Sequence, residues 1–313
     1  MSGYLENGRW HEGWYDTGTT AGEFVRTTSQ FRHRITADGA GGYRAEPGRY
    51  HLYVSLACPW AHRTLIGRVL KGLEDVIAVS VVEPVMTQGW CFSAALPDHL
   101  RGFEYLHQVY AAADPRYTGR VLVPALFDRQ TRTIVSNESS EILRMFNEAF
   151  AAFANNDVDL YPPALRARID EVNDFVYDNV NNGVYRCGFA TGQAAYERAF
   201  ERLFAALDRL EADLGRSAWL AGGQPTEADW RLFTTLVRFD AVYFGHFKCN
   251  RNRIEDFPKL ARFLRTLYRV PGIAATVDMD HIKRHYYMSH AHINPTRIVP
   301  AGPRLKFMEE AGG

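Results

Sequence analysis

Tyr50-His-Leu-Tyr-Val-Ser-Leu-Ala-Cys58-Pro59-Trp60-Ala61-His62-Arg63 is the stretch from which the fold can be read. Its first half, Tyr50 to Ala57, is rich in aromatic and β-branched residues and predicts a strand. Trp60, Leu65, Val69 and Leu73 then recur at helical spacing, Arg63, Arg68 and Lys71 fall elsewhere, and the pattern ends near Gly72. Cys58 therefore falls at the strand-to-helix turn. Pro59 takes the first helical position, where a missing N–H costs nothing. A cysteine there meets the unpaired N–H groups and positive end of the helix dipole, which favour thiolate over thiol. Arg63, one turn on, would add to that field. The position three after Cys58 is Ala61, so no local thiol can resolve a disulfide, and the chemistry implied is monothiol. A lone cysteine is by default a small buried hydrophobe. The strand–Cys-Pro–helix setting favours the reactive reading.

The chain has 313 residues, room for one large domain or two ordinary ones. Hydrophobic residues make up 46% and charged residues 23%, the composition of a soluble globular protein. Lys plus Arg and Asp plus Glu both total 36, so no net charge points to nucleic acid or an anionic membrane. No apolar run approaches the ~20 residues of a membrane span, and Met1 to Arg9 lacks the apolar core of a secretory signal. Cys58, Cys91, Cys187 and Cys249 are widely spaced with no C-x-x-C pair, which speaks against a disulfide framework or structural zinc. A reducing cytoplasm is the expected location.

Residues 1–49 show no sustained period, but Trp10, Trp14, Tyr15, Phe24 and Phe31 are too aromatic for a disordered tail. They are expected to form an irregular arm packed on the body. Val76 to Val82 reads as a strand, Glu83 to Leu100 as a long loop and Arg101 to Ala113 as a helix. Val121 to Phe127 and Thr133 to Ser136 read as a hairpin. Pro124 within it either demotes the strand or, often through a cis bond, ends pairing and exposes backbone. Asn137-Glu138-Ser139-Ser140 then opens a helix whose N-terminus is a ready anion site. This order describes a small α/β layer fold with a four-stranded sheet over residues 50–155.

Beyond the boundary at Asn155 to Pro163 the strand signal disappears, and residues 160–313 read as all-helical. Helices are expected over Leu165 to Val180, Gln193 to Leu214, Trp230 to Tyr243 and between Pro258 and Pro271. Thr226 and Asp229 form a capping box before the apolar Trp230 helix. His281 to His292 concentrates histidine and tyrosine. Its order is not zinc-like, so phenol hydroxyls lining an aromatic pocket are preferred to a metal site. Asn294 to Pro303 reads as an extended surface strap.

Taken together, these pieces resemble the cytosolic glutathione transferases from about Tyr50 to His292. Within them they resemble the Xi class, the glutathionyl-hydroquinone reductases. The matching motifs are Cys58-Pro-Trp-Ala-His62, Gly89-Trp90, Asp114-Pro-Arg-Tyr-Thr-Gly-Arg120, Val123-Pro124, Ser136-Asn-Glu138-Ser139, Tyr243-Phe-Gly-His-Phe-Lys-Cys-Asn250 and Lys283-Arg-His-Tyr-Tyr287. Ala125 departs from the branched residue expected before Leu126. The resemblance implies an α/β plus all-α architecture, with a thioredoxin-like glutathione-binding domain followed by a helical substrate and dimerisation domain. It also implies a homodimer.

Roles follow from the resemblance residue by residue. Cys58 would be the nucleophile. Val123, before a cis-Pro124, would offer its backbone to the cysteinyl part of glutathione like an added strand. Glu138 and Ser139 would hold the γ-glutamyl end, Trp90 would cover the glutathione and Arg120 would contact a carboxylate. Tyr185 and Tyr287 would serve the phenolic oxygens, with Tyr243 and Tyr286 lining the same pocket. The implied reaction is thiol–disulfide-like exchange on a glutathione thioether of a hydroquinone, with glutathione as co-substrate and no metal. The alternatives are an omega-like thiol transferase or dehydroascorbate reductase, and a non-catalytic glutathione-transferase-like binding protein.

Overall fold

Residues 2–309 are described by the computed structural model, so Met1 and residues 310–313, the outer ends of the arm and of the helical region, lie outside it. The arm, expected to be irregular, begins with a hairpin of β1 (Gly3–Glu6) and β2 (Arg9–Glu12), paired antiparallel. Asn7 and Gly8 connect them with φ of 47° and 75°. Both lie in the left-handed region that a two-residue I′ turn requires. A short parallel pair, β3 (Ile35–Thr36) with β4 (Tyr43–Arg44), completes the arm.

The next elements are β5 (Tyr50–Val54), α1 (Pro59–Leu70), β6 (Ala78–Val81), α2 (Leu106–Ala113), β7 (Gly119–Arg120), β8 (Ala125–Asp128), β9 (Thr133–Ser136) and α3 (Ser139–Glu148). The sheet order is β6-β5-β8-β9. β5 and β6 are parallel, whereas β8 is antiparallel to both β5 and β9. All five residues of β5 are buried, as a strand covered on both faces requires. β8 begins after Pro124 rather than at Val121, because proline has no N–H for the ladder. β7 pairs with β1, joining the arm to this layer. α1 and α3 approach closely at Gly67, where a Cβ would lie 2.4 Å from a Leu143 methyl.

α4 (Arg166–Val176), α5 (Gly183–Phe189), α6 (Gln193–Arg216), α7 (Glu227–Arg238) and α8 (Pro258–Tyr268) follow, as the helical reading of this region expects. Wider π-type turns continue α4 over Tyr177–Asn181 and α7 over Phe239–Tyr243. Every residue of α7 is buried, and the Thr226–Asp229 capping box is formed. Its buried charges have partners: Glu227 accepts from Asn173 Nδ2 at 2.7 Å and lies 3.3 Å from the Arg231 guanidinium. α9 (Met279–Ser289) and the four-residue α10 (Lys306–Glu309) end the description.

Two compact units result, each discontinuous in sequence. The first comprises Met1–Trp14, Thr27–Val158 and Thr276–Arg297, and the second Tyr15–Arg26, Asp159–Ala275 and Ile298–Gly313. The returning segment with α9 is sewn into the first unit by His62 Nε2 with Thr276 Oγ1 (2.7 Å) and Ser55 Oγ with His281 Nε2 (3.4 Å). No helix among the described residues is long and apolar enough to cross a membrane.

Candidate functional site

Cys58 is the N-cap of α1, with extended backbone (φ −77°, ψ 119°) and Pro59 behind it. Its carbonyl accepts the first helical bond from His62 N at 3.0 Å. Its side chain makes no cap bond, and no acid stands in the first turn to oppose the dipole. The thiol instead donates to the Val123 carbonyl oxygen at 3.4 Å. The Val123–Pro124 peptide is cis, and Val123 is buried just ahead of β8. The Cys58 thiol and the Val123 backbone thus meet at the end of the central strands. Cys58 is half-buried, whereas Cys91, Cys187 and Cys249 are buried.

Arg63, one turn along α1 from Cys58, faces the start of α3. Its guanidinium lies 4.5 Å above the Trp60 ring, and Nη1 donates to Ser139 Oγ at 3.5 Å. This buried cation serves the start of α3. There Glu138 is the N-cap, accepting from Ser140 N at 3.1 Å and Ser140 Oγ at 2.8 Å, with Ser29 Oγ 3.2 Å from its other oxygen. Burial pushes the Glu138 carboxyl up. The Ser140 bonds and the charges of Arg63 and Arg32 outweigh it, so the group sits below its ordinary value. A carboxylate, a buried Ser139 and a helix N-terminus therefore stand side by side, a pattern that can take a zwitterionic head group by both its charges.

Trp90 is 8% exposed, and its ring stacks on His285 of α9 at 4.8 Å between centroids. Tyr286, next on α9, is fully buried and meets the His285 ring edge-on at 5.2 Å. Tyr287 is 9% exposed, and its carbonyl accepts from Asn294 Nδ2 at 2.8 Å. Two further histidines of this segment pack against aromatic rings: His292 lies tilted 4.3 Å from Trp14, and His290 lies edge-on 5.5 Å from Tyr286. Arg120, which the resemblance assigns to a carboxylate, donates to the carbonyls of Gly3 (3.3 Å), Gly13 (2.6 Å) and Trp14 (2.6 Å). It clasps the arm.

Tyr185 and Tyr243 belong to the second unit, whereas Tyr286 and Tyr287 belong to the first with Cys58. Tyr185, on α5, is 9% exposed and lies 6.1 Å from the Tyr243 ring and 5.4 Å from Phe247. Tyr243, which the resemblance puts on a pocket wall, is fully buried and stacked on Phe247. The arm reaches this cluster through Arg26, whose guanidinium lies 4.7 Å over the Tyr185 ring and whose Nε donates to Asn182 Oδ1 at 2.8 Å. A cavity of about 540 Å³ opens beside these residues, lined among others by Phe24, Arg26, Tyr177, Asn182, Arg186 and Arg202.

Sequence reasoning missed Arg26, Ser29 and His285 as neighbours of these groups. His285 alone had a signal, since it stands inside the Lys283-to-Tyr287 motif.

Comparison with known proteins gives the family. The family model for the glutathione S-transferase N-terminal domain matches residues 57–149, and that for the C-terminal domain residues 193–266. The chain is 56% identical to the glutathionyl-hydroquinone reductase YqjG of Escherichia coli K12, over 96% of this chain and 95% of that one. The glutathione-bound structure of YqjG superposes with a TM-score of 0.90, covering 97% of each chain at 52% identity. The glutathionyl-hydroquinone reductase PcpF of Sphingobium chlorophenolicum is 52% identical, over 96% of each chain. A Xi class glutathione transferase from Natrialba magadii superposes with a TM-score of 0.91 at 47% identity, covering 98% of this chain and 94% of that one. Motifs, fold and full-length relatives agree, and the chain belongs to the Xi class of the glutathione S-transferase family.

Proposed function

We propose that the protein reduces S-glutathionyl-hydroquinones to hydroquinones at the expense of glutathione, through a Cys58–glutathione mixed disulfide. The observation that carries this reading is the Cys58 thiol at the acid-free N-terminus of α1, 3.4 Å from the Val123 carbonyl. The names of YqjG and PcpF support the substrate class.

In the first step the Cys58 thiolate attacks the thioether sulfur. A Cys58–sulfur bond forms and the sulfur–aryl bond breaks, its electron pair passing to the ring carbon, which takes up a proton. The ring is reduced, and the two sulfurs end as a disulfide. Tyr185 and Tyr287 hydrogen-bond the phenolic oxygens and assist that proton transfer, with Tyr286 and Tyr243 supporting the pocket. A second glutathione thiolate then attacks the mixed disulfide, releasing glutathione disulfide and restoring Cys58. Glu138 binds the γ-glutamyl ammonium and Ser139 its carboxylate. The Val123 backbone pairs with the cysteinyl unit, and Trp90 covers the peptide. Arg120 contacts a carboxylate of glutathione, as the resemblance implies, besides clasping the arm.

In this reading residues 50–155 bind glutathione, and residues 160–313 supply the aromatic pocket and the contact of a homodimer. Cys58, Cys91, Cys187 and Cys249, none bridged to another, fit a reducing cytoplasm. The test is turnover of a glutathionyl-hydroquinone with excess glutathione, following hydroquinone and glutathione disulfide. Equimolar release of both is expected. Turnover only of mixed disulfides or dehydroascorbate would transfer the protein to the omega-like thiol transferases. Absence of glutathione binding would leave a non-catalytic binding protein.

A further inference from the structure

The Trp90 carbonyl accepts from Leu106 N at 2.9 Å, and side chains of α9 hold the same loop from the other side. His285 Nδ1 lies 2.9 Å from the Pro84 carbonyl oxygen. A carbonyl only accepts, so Nδ1 carries the proton. The same imidazole stacks on the Trp90 indole with 20° between the planes. One turn later Ser289 Oγ accepts from Met86 N at 3.0 Å and faces the Pro84 oxygen at 3.5 Å. α9 therefore holds the loop at Pro84, Met86 and Trp90, through side chains that flank Tyr286 and Tyr287 on the same helix. Gly89, adjoining the indole, has a φ of +67° that few other residues adopt.

We propose that His285 is the positioning residue for Trp90 in glutathione binding, with Ser289 fixing the loop behind it. The proposal rests on the reading of Trp90 as the cover of glutathione. An indole that closes over a flexible tripeptide contributes most when its own freedom is lost before binding. Imidazole supplies both a flat face for the indole and a directed N–H for the Pro84 carbonyl. Phenylalanine would keep only the first, and asparagine only the second. Because His285, Tyr286, Tyr287 and Ser289 share one short helix, the glutathione cover and two of the pocket tyrosines are held by the same element.

The test compares His285→Ala, His285→Phe, His285→Asn and Ser289→Ala, each with and without Trp90→Phe, so that the difference spectrum isolates Trp90 emission. His285→Ala is expected to change Trp90 emission and to raise KM for glutathione roughly tenfold, with kcat at saturating glutathione kept within about twofold. Phe and Asn should each recover part of the KM, and Ser289→Ala should show a smaller rise. Unchanged Trp90 emission and KM in His285→Ala would overturn the proposal. So would a joint loss of kcat and KM that neither conservative variant relieves, since that marks a merely structural histidine. If Trp90→Phe alone leaves calorimetric glutathione binding intact, the premise about Trp90 fails and the proposal falls with it. That case is recognisable, because His285→Ala would still alter Trp90 emission.

Discussion

The Cys58 thiol donates to the Val123 carbonyl oxygen at 3.4 Å, across 65 positions of sequence. Two influences meet on this sulfur. The helix N-terminus favours the anion, while the carbonyl accepts only from the thiol. A substrate amide N–H that takes over the Val123 carbonyl would remove the second influence and leave the first. Glutathione binding along that edge and activation of Cys58 are thereby parts of one event in the proposed mechanism.

The tyrosines separate by their surroundings. Tyr185 and Tyr287 each retain 9% exposure, whereas Tyr243 is fully buried against Phe247. Tyr185→Phe and Tyr287→Phe should each lower kcat/KM for a glutathionyl-hydroquinone by roughly 10²-fold, the usual worth of a positioned proton donor. Tyr243→Phe should lower it far less. Reduction of a simple mixed disulfide, which needs no ring protonation, should be nearly unaffected by all three. Steady-state kinetics on both substrates gives the comparison.

Glu138 predicts both an affinity and a pH effect. Glu138→Gln removes the charge that would meet the γ-glutamyl ammonium, and KM for glutathione should rise roughly thirtyfold, about 2 kcal/mol. The folded carboxyl sits below its ordinary value of about 4.3. Its contribution to stability is therefore present above that ordinary value and is lost as pH falls through the folded one. Urea unfolding of wild type and Glu138→Gln should show a stability gap that is constant from neutral pH to about pH 5 and closes at lower pH. A gap that widens in acid would refute the sign.

Arg120 clasps the arm through Gly3, Gly13 and Trp14. Arg120→Ala should cost about 2 kcal/mol, the loss of charge-assisted bonds to partly buried carbonyls. It should also expose the chain near Trp14 to chymotrypsin. Rising KM for glutathione with an undisturbed arm would show the carboxylate contact that the resemblance implies to be the larger part of its role.

Local signals made much of this legible. The strand–Cys58-Pro59–helix turn, the Glu138 cap and the Thr226–Asp229 box are written within a few residues each, and all three are present. Asn7-Gly8 was just as local a turn signal, yet it sits between strands of four residues, too short for a period to show. The end of α7 in a π-type turn was hidden because a widened turn keeps the same apolar residues and only rotates them. Long-range partners left no trace. Arg120 meets carbonyls 106 to 117 positions away, and His285 meets Pro84 at a separation of 201. The arm's passage of Arg26 over Tyr185 belongs to the same class.

The central claim is the covalent route through Cys58, and intact-protein mass spectrometry after a single turnover tests it most directly. Wild type mixed with one equivalent of glutathionyl-hydroquinone, without free glutathione, should gain one glutathionyl mass on the Cys58 peptide as hydroquinone appears. Added glutathione should then discharge it as glutathione disulfide. Cys58→Ser should fold normally, since serine is a good N-cap, and should give neither adduct nor hydroquinone. Hydroquinone release by Cys58→Ser at the wild-type rate, or an adduct on another cysteine, would contradict the account.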